Sequence, residues 1–474
     1  MVTMPADTPT VFVLFGATGD LAKRMVLPAF YELERRDLLP ERWRLVGNGR
    51  GRRTDDEFRD HVKSALEEFG DGADDSWDAF AANLRFAGGG FTAEDPGELV
   101  DVIEEIRNDD DLGGEDVQLV HYIALPPSTF TEYTKALGEH GLAEGSRVVY
   151  EKPFGTSQSS FTELDEAVHE VFDEKQVYRI DHFLGKESTQ NLHILRFANG
   201  MFAGLWNREH VEQVQIDIPE TLDIADRAEF YDATGAVLDM VVTHLFQVAA
   251  EVAMEPPLSL GADDLQTARE SVIAAFRPID TSEVVLGQFD GYRETEGIAD
   301  DSTTDTFVAA RLWVDTDRWR DVPFVLRTGK MLGVSAQRVT LVFRRPEDGP
   351  ITHIPAGGAA LTFDLSGDGS IDITVTVKEP GPGEDLAIAH LDLPLDTVDS
   401  DNGGALSPYS RLLNDVLDGD RSLFTRPDGL AHVWTVAAPL LDNPPKVQPY
   451  PAGSMGPGAA DELAAPIGWF VTGK

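Results

Sequence analysis

The nine residues Arg179–Glu187 read RIDHFLGKE and gather Arg179, Asp181, His182, Lys186 and Glu187 around a single glycine. Two readings fit them. They form a solvated turn that leads into a helix, or a site for an anion, with Asp181 placed to steer an imidazole elsewhere in the chain. A second cluster lies near the N-terminus. Gly16, Gly19 and Ala22 make G-x-x-G-x-x-A between the apolar run VFVLF and the helical pattern KRMVLPAFYELERR. Glycines at such a turn let the backbone approach a pyrophosphate, and the helix N-terminus points N–H groups at it. Gly16, Ala17, Thr18, Gly19, Asp20 and Leu21 are therefore the candidate phosphate loop, against the plainer alternative of a packing turn. Just after the next apolar run, WRLVG, stands Arg50, with Arg52 and Arg53 behind it. A ribose 2′-hydroxyl calls for Asp or Glu there. Arginine suits a 2′-phosphate, so NADP is favoured over NAD, the alternative being an ordinary surface arginine.

These residues need elements to hold them. VFVLF, WRLVG, NLRFAGG, VQLVHYIAL and SRVVYEKPFG read as short strands, and helical segments such as DDEFRDHVKSALEEF fall between them. That alternation over residues 10–175 indicates a doubly wound parallel sheet. Beyond RIDHFLGKE the pattern changes. One helix-like run, KESTQNLHILRFANGMFAGLWN, gives way to period-2 segments: VEQVQIDIPE, TFVAARLWV, DVPFVLRTG, QRVTLVFRR, GAALTFDL and SIDITVTVKE. Alternation with frequent turns predicts a mainly antiparallel sheet with one face covered. Further helices are expected at residues 237–252 and 409–418, and an irregular Pro/Gly-rich tail from Asn443. The domains expected are residues 1–178 and 179–474, an α/β unit followed by a larger α+β one.

Composition narrows the function. At 474 residues, 42% hydrophobic and 26% charged, the chain is globular and has more than one domain. Asp and Glu number 83 against 39 Lys and Arg, a net charge of −44, so a broad basic face for nucleic acid or anionic membrane is not expected. The acidic residues are dispersed, as suits a hydrated surface in high salt or a genome that favours Arg over Lys. The chain has no cysteine, which excludes thiolate metal sites and fits a reducing compartment, the cytoplasm by default. No signal peptide and no uninterrupted apolar run of membrane-spanning length is read.

The motifs GATGDLAKRMVLPAFYEL, YIALPP, EKPFG, RIDHFLGKE, LRFANGMFAGLWNREHVEQVQI, LRTGK and YPAGSMGP, in this order, resemble those of glucose-6-phosphate dehydrogenases almost end to end. The resemblance implies an N-terminal Rossmann domain and a larger C-terminal domain on an antiparallel sheet. It implies oxidation of glucose 6-phosphate at C1 to the lactone, the first step of the oxidative pentose phosphate pathway, with NADP as acceptor and no metal. It also implies a dimer or tetramer of identical chains. By the same resemblance His244, in VVTHLFQ, is the general base, and Asp181 holds its tautomer. His182 and Lys186 hold the sugar phosphate. Glu220 and Asp239 receive sugar hydroxyls. Lys330 and Lys152 serve the substrate, and Lys152 also the cofactor.

Read without the resemblance, His244 on the apolar face VLDMVVTHLFQVAA is a core histidine, and Glu220 after Pro219 merely starts a loop. Asp239 lies about one and a half α-helical turns before His244, so the two need not face each other. The chain also departs from the family pattern. Met25 stands where a lysine is usual, Phe183 where a tyrosine is usual, and Ser335 where a second lysine is usual. Asp226 and Glu229 occupy positions where glycines are common. All fall around the substrate, so a related or unphosphorylated sugar, or a weakly catalytic NADP-binding paralogue, are the alternatives to weigh.

Overall fold

A computed structural model describes residues 8–108, 112, 117–224, 227–346, 350–351, 353–399 and 403–473. The chain divides into two compact units.

The first unit runs to Gly185 and takes in Leu260–Gln266 and Leu406–Pro427. Its strands are β1 (Thr10–Phe15), β2 (Trp43–Asn48), β3 (Leu84–Ala87), β4 (Gln118–Ile123), β5 (Arg147–Tyr150) and β6 (Val177–Arg179). They form one parallel sheet in the order β3-β2-β1-β4-β5-β6, the strand order of a dinucleotide-binding fold. β1 is buried throughout, as a central parallel strand covered on both faces must be. The helix Asp55–Phe69 starts at Thr54, which makes a capping box with Glu57.

A division at residue 178 leaves out part of this core. The helix Pro408–Asp418 packs on the helix Leu27–Arg35, and Leu412, Leu413 and Val416 are fully buried with Phe30 and Leu33. Ser410 Oγ donates to Glu32 at 2.5 Å, and Arg147 covers the helix C-terminus by donating to the Val416 and Leu417 carbonyls. The amphipathic pattern of residues 409–418 is legible, but which sheet it covers is not.

The second unit comprises Lys186–Ser259, Thr267–Ala405 and Asp428–Lys474. Its strands are β7 (Val211–Pro219), β8 (Val284–Phe289), β9 (Phe307–Leu312), β10 (Phe324–Gly329), β11 (Arg338–Phe343), β12 (Ala360–Asp364), β13 (Ser370–Lys378), β14 (Leu386–Pro394) and β15 (Gln448–Tyr450). They form one sheet in the order β14-β13-β12-β11-β7-β10-β9-β8-β15. It is mainly antiparallel; β7 with β10 and β8 with β15 pair in parallel. The tail from Asn443 is thus partly regular: β15 joins the sheet, and a 3₁₀ turn spans Gly458–Glu462. The run KESTQNLHILRFANGMFAGLWN is two helices, Glu187–Ala198 and Gly200–Ala203, because Asn199 takes extended angles between them.

A 26-residue helical stretch, Ala228–Ala253, has a mean hydropathy of 1.5 over its most apolar window, 83% of which is buried. It is long and apolar enough to span a membrane by length and composition. Its burial is that of a core element, and it carries Asp232, Asp239, His244 and Glu251.

Candidate active site

The candidate cofactor residues lie in the first unit, at the C-terminal ends of its strands, where ligands of such sheets bind. Gly16 follows β1 with φ +74°, and a Cβ there would stand 2.5 Å from the Ala124 carbonyl, so this turn requires glycine. Its N–H and that of Ala17 donate to the Asn48 carbonyl, which ties the loop to the end of β2. Gly19 N–H donates to the Gly16 carbonyl at 2.8 Å and closes the turn. Thr18 and Asp20 lie on the turn beside a half-exposed Leu21, and Asp20 accepts from Arg24 at 2.7 Å. The next residues, Ala22–Val26, are a π-helix, with Leu27 N–H bonded back to the Ala22 carbonyl. Met25, exposed, belongs to that turn.

Arg50 is exposed two residues after β2, close enough to Tyr133 to oppose the burial that raises its hydroxyl pKa. Arg53 and Lys23 act on His61, whose pKa is lowered first by burial and then by these charges. Arg53 and Lys23 thus place positive charge beside His61, which bonds the backbone of Ala17 in the loop, in a chain of net charge −44. Lys152 follows Glu151, a buried carboxyl that accepts from Tyr122 Oη at 2.5 Å and whose pKa burial raises. Asp181 is buried and accepts from the Phe183 N–H at 2.9 Å. Phe183 is itself buried, with its ring 4.9 Å from that of His182; the His182 ring also stacks on Tyr409 at 6.4 Å.

The second unit holds the other candidates. β7 and β10 pair in parallel with Pro219 opposite Gly329, so the residue after each strand, Glu220 and Lys330, comes out side by side. They form an ion pair, and the Lys330 ammonium lies 5.7 Å from the Tyr231 ring centre. Three residues before Glu220 and Lys330, Asp217 and Arg327 make a buried bidentate pair that pins this register. Ser335 does not reach outward as a second lysine would. Its hydroxyl accepts from the Thr221 N–H at 2.9 Å and braces the loop after Glu220. Lys186 donates to Gln337 and to the Leu365 carbonyl, so the turns flanking β11 and β12 hold its ammonium.

His244 is 1% exposed and Asp239 precedes it by five residues. The segment Val237–Leu245 is a π-helix, closed by Phe246 N–H to the Val241 carbonyl. In a π-helix the hydrogen bonds run from i to i+5, so residue 244 lies about one turn beyond residue 239. This corrects the α-helical spacing: Asp239 and His244 share a face. The aspartate charge also helps raise the Tyr231 hydroxyl pKa, after burial.

Asp305, which the motifs give no reason to select, starts that helix. Its carboxylate accepts from Val237 N–H at 2.8 Å, and Gly235, at φ +66°, leaves room for it: a Cβ would stand 2.7 Å from Oδ1. Burial pushes the Asp305 carboxyl up from 3.8 to about 6. The folded state therefore keeps a proton that the unfolded chain releases, and stability falls as pH rises from 3.8 to about 6. Denaturant titrations should show the native protein losing roughly 2 kcal/mol across that window relative to Asp305→Asn; parallel pH profiles would contradict this.

Comparison with known proteins bears on both units. A family profile described as "Glucose-6-phosphate dehydrogenase, NAD binding domain" matches residues 13–191, and "Glucose-6-phosphate dehydrogenase, C-terminal domain" matches residues 193–469. The chain is 37% identical over 474 residues to glucose-6-phosphate 1-dehydrogenase 1 of Mycobacterium tuberculosis, covering 98% of this chain and 96% of that one. It is 34% identical over 479 residues to glucose-6-phosphate 1-dehydrogenase of Aggregatibacter actinomycetemcomitans, covering 96% of each. Among solved structures it is similar to glucose-6-phosphate 1-dehydrogenase from Mycobacterium avium, with a TM-score of 0.86, 35% identity, and 98% and 99% of the two chains covered. A glucose-6-phosphate dehydrogenase in complex with its substrate glucose-6-phosphate gives 0.89 at 31% identity, over the same shares of the two chains. Profiles spanning both units and relatives matched along nearly their whole length lead to one conclusion: the chain belongs to the glucose-6-phosphate dehydrogenase family.

Proposed function

We propose that the chain oxidises glucose 6-phosphate at C1 to 6-phosphogluconolactone with NADP as acceptor. The observation that carries this is the buried His244 on a π-helical face with Asp239, in the unit that pairs Glu220 with Lys330. When bound, NADP supplies the nicotinamide that accepts the C1 hydride. His244 takes the proton of the C1 hydroxyl as that bond breaks, work suited to an imidazole whose ordinary pKa is near 6.5. Asp181 is the carboxylate assigned to hold this base in its productive tautomer. Asp239 and Glu220 accept from sugar hydroxyls, and Lys330 donates. His182 and Lys186 bind the phosphate, and Lys152 serves the substrate and the nicotinamide. The free-sugar alternative, which rested on Met25, Phe183 and Ser335, is not favoured by relatives named for the 6-phosphate. Adding glucose 6-phosphate and NADP to the purified protein should raise the near-ultraviolet absorbance of NADPH. No rise, with both compounds shown to bind by calorimetry, rejects the reading.

The fit of NADP rests on Gly16 and the cations behind β2. Arg50→Ala is expected to weaken NADP by about tenfold or more and NAD little, since charge-assisted pairs to a phosphate are the strong ones. Equal losses by fluorescence titration would assign Arg50 to the fold or the pyrophosphate. The absence of cysteine supports a cytoplasmic location, and the exposed Ile388, Leu391 and Leu393 of the edge strand β14 support a homo-oligomer.

A further inference from the structure

Two helices of the second unit, Glu187–Ala198 and Phe246–Ala253, run in parallel and in step. His193 Nδ1 meets Glu251 Oε2 at 2.9 Å, and Arg196 donates to the Met254 carbonyl at 2.5 Å; each contact joins residues 58 apart. One turn back along this seam, the same offset brings Thr189 to the level of Gln247, three residues after His244. Residues four apart on a helix share a face, so Thr189 and Gln247 line the same seam as His193 and Glu251.

Thr189 is 0% exposed and Gln247 is 1% exposed. Among the described residues, neither Thr189 Oγ1 nor either polar atom of the Gln247 amide has a hydrogen-bond partner on the protein. Several helical hydroxyls of this chain bond back to the preceding turn, as Thr243 does to Asp239 and Ser271 to Thr267; Thr189 and its neighbour Ser188 do not. Leaving such groups unsatisfied is costly, and native proteins satisfy them with protein atoms or ordered water. A hydroxyl beside an amide offers donors and acceptors for a bound water, which needs two to four partners. Burial this deep leaves no opening for a sugar. Beyond it the seam is closed by the Glu251 carboxylate. Burial opposes that charge, yet Arg269 and His193 hold its pKa down at about 2.

We propose that Thr189 and Gln247 form a buried water site one helical turn from His244, and that this site positions the imidazole for proton transfer. The assignment rests on His244 as the base. Gln247 and Thr189 are positioning residues in it, touching neither sugar nor cofactor.

The test is Gln247→Leu, close in size and unable to hydrogen bond, made in the full chain. We expect kcat with glucose 6-phosphate to fall about tenfold, the scale of one hydrogen bond. KM should stay within about twofold and the acidic limb of the kcat pH profile should move. Thr189→Val should act in the same direction, and the double variant should lose less than the product of the two, since both lose one water. A crystal structure of the wild type should show a water bridging Gln247 and Thr189, a result independent of any activity. A raised KM at constant kcat would make Gln247 a sugar contact. An unchanged kcat and pH profile, or no bridging water, overturns the proposal. Should Gln247→Leu fail to fold, Thr189→Val carries the test alone, and wild-type kinetics from it overturn the proposal equally.

Discussion

His244→Asn is expected to reduce kcat by roughly 10²–10⁴-fold, the contribution of a positioned general base. Asparagine approximates the size of the ring and keeps a polar side chain, but it has no basic nitrogen to take the C1 hydroxyl proton. The loss should therefore appear in kcat, with NADP affinity and the KM for glucose 6-phosphate near wild type, the pattern of an interaction made only in the transition state. The pH dependence is informative as well. Wild-type kcat/KM should rise with pH as the imidazole loses its proton, whereas the variant should lack that rise and gain only with hydroxide. A variant that keeps more than about a tenth of wild-type kcat would show that another group takes the proton.

Lys186→Ala carries the second-largest effect. The ammonium is held by Gln337 and the Leu365 carbonyl at the start of the helix Glu187–Ala198, so it is a fixed cation in a strongly acidic chain. A sugar phosphate needs such local charge to bind at all. Hydrogen bonds to charged groups are worth about 1.5–3 kcal/mol, so KM for the 6-phosphate should rise on the order of ten- to a hundredfold. Whatever slow oxidation of free glucose the enzyme has should change little. Lys186→Arg should recover part of the loss, because the charge returns in a different geometry. If glucose and glucose 6-phosphate suffer alike, Lys186 supports the turn at Gln337 and does not read the phosphate.

The strand–turn–helix at Gly16–Gly19 was legible because its geometry is local: a buried strand, a tight turn and a helix start follow one another within residues 10–30. Strands with a clear apolar run or alternation, such as β1 and β11, were legible for the same reason. β14 was not, since most of its residues are exposed on both faces and leave no inside–outside alternation. Nor was the helix Pro427–Asp442 read, because Pro439 inside it argues against a helix. The π-helix at Val237–Leu245 has no signature in residue types, and assuming α-helical spacing set Asp239 and His244 apart. The first unit's use of Leu406–Pro427 depends on a long return of the chain that no local pattern records. The pairing of Glu220 with Lys330 required the register of β7 against β10, which sequence spacing does not fix. Asp305, Gln337 and Gln247 escaped notice because each is an ordinary polar residue until its neighbours are known.

The most direct measurement is kcat/KM of the wild-type protein for glucose 6-phosphate and for glucose, with NADP, under one set of conditions. A phosphate held by His182 and Lys186 requires the 6-phosphate to be preferred by at least about a hundredfold, as two charge-assisted contacts demand. Equal values for the two sugars would contradict the account and remove the phosphate from the site.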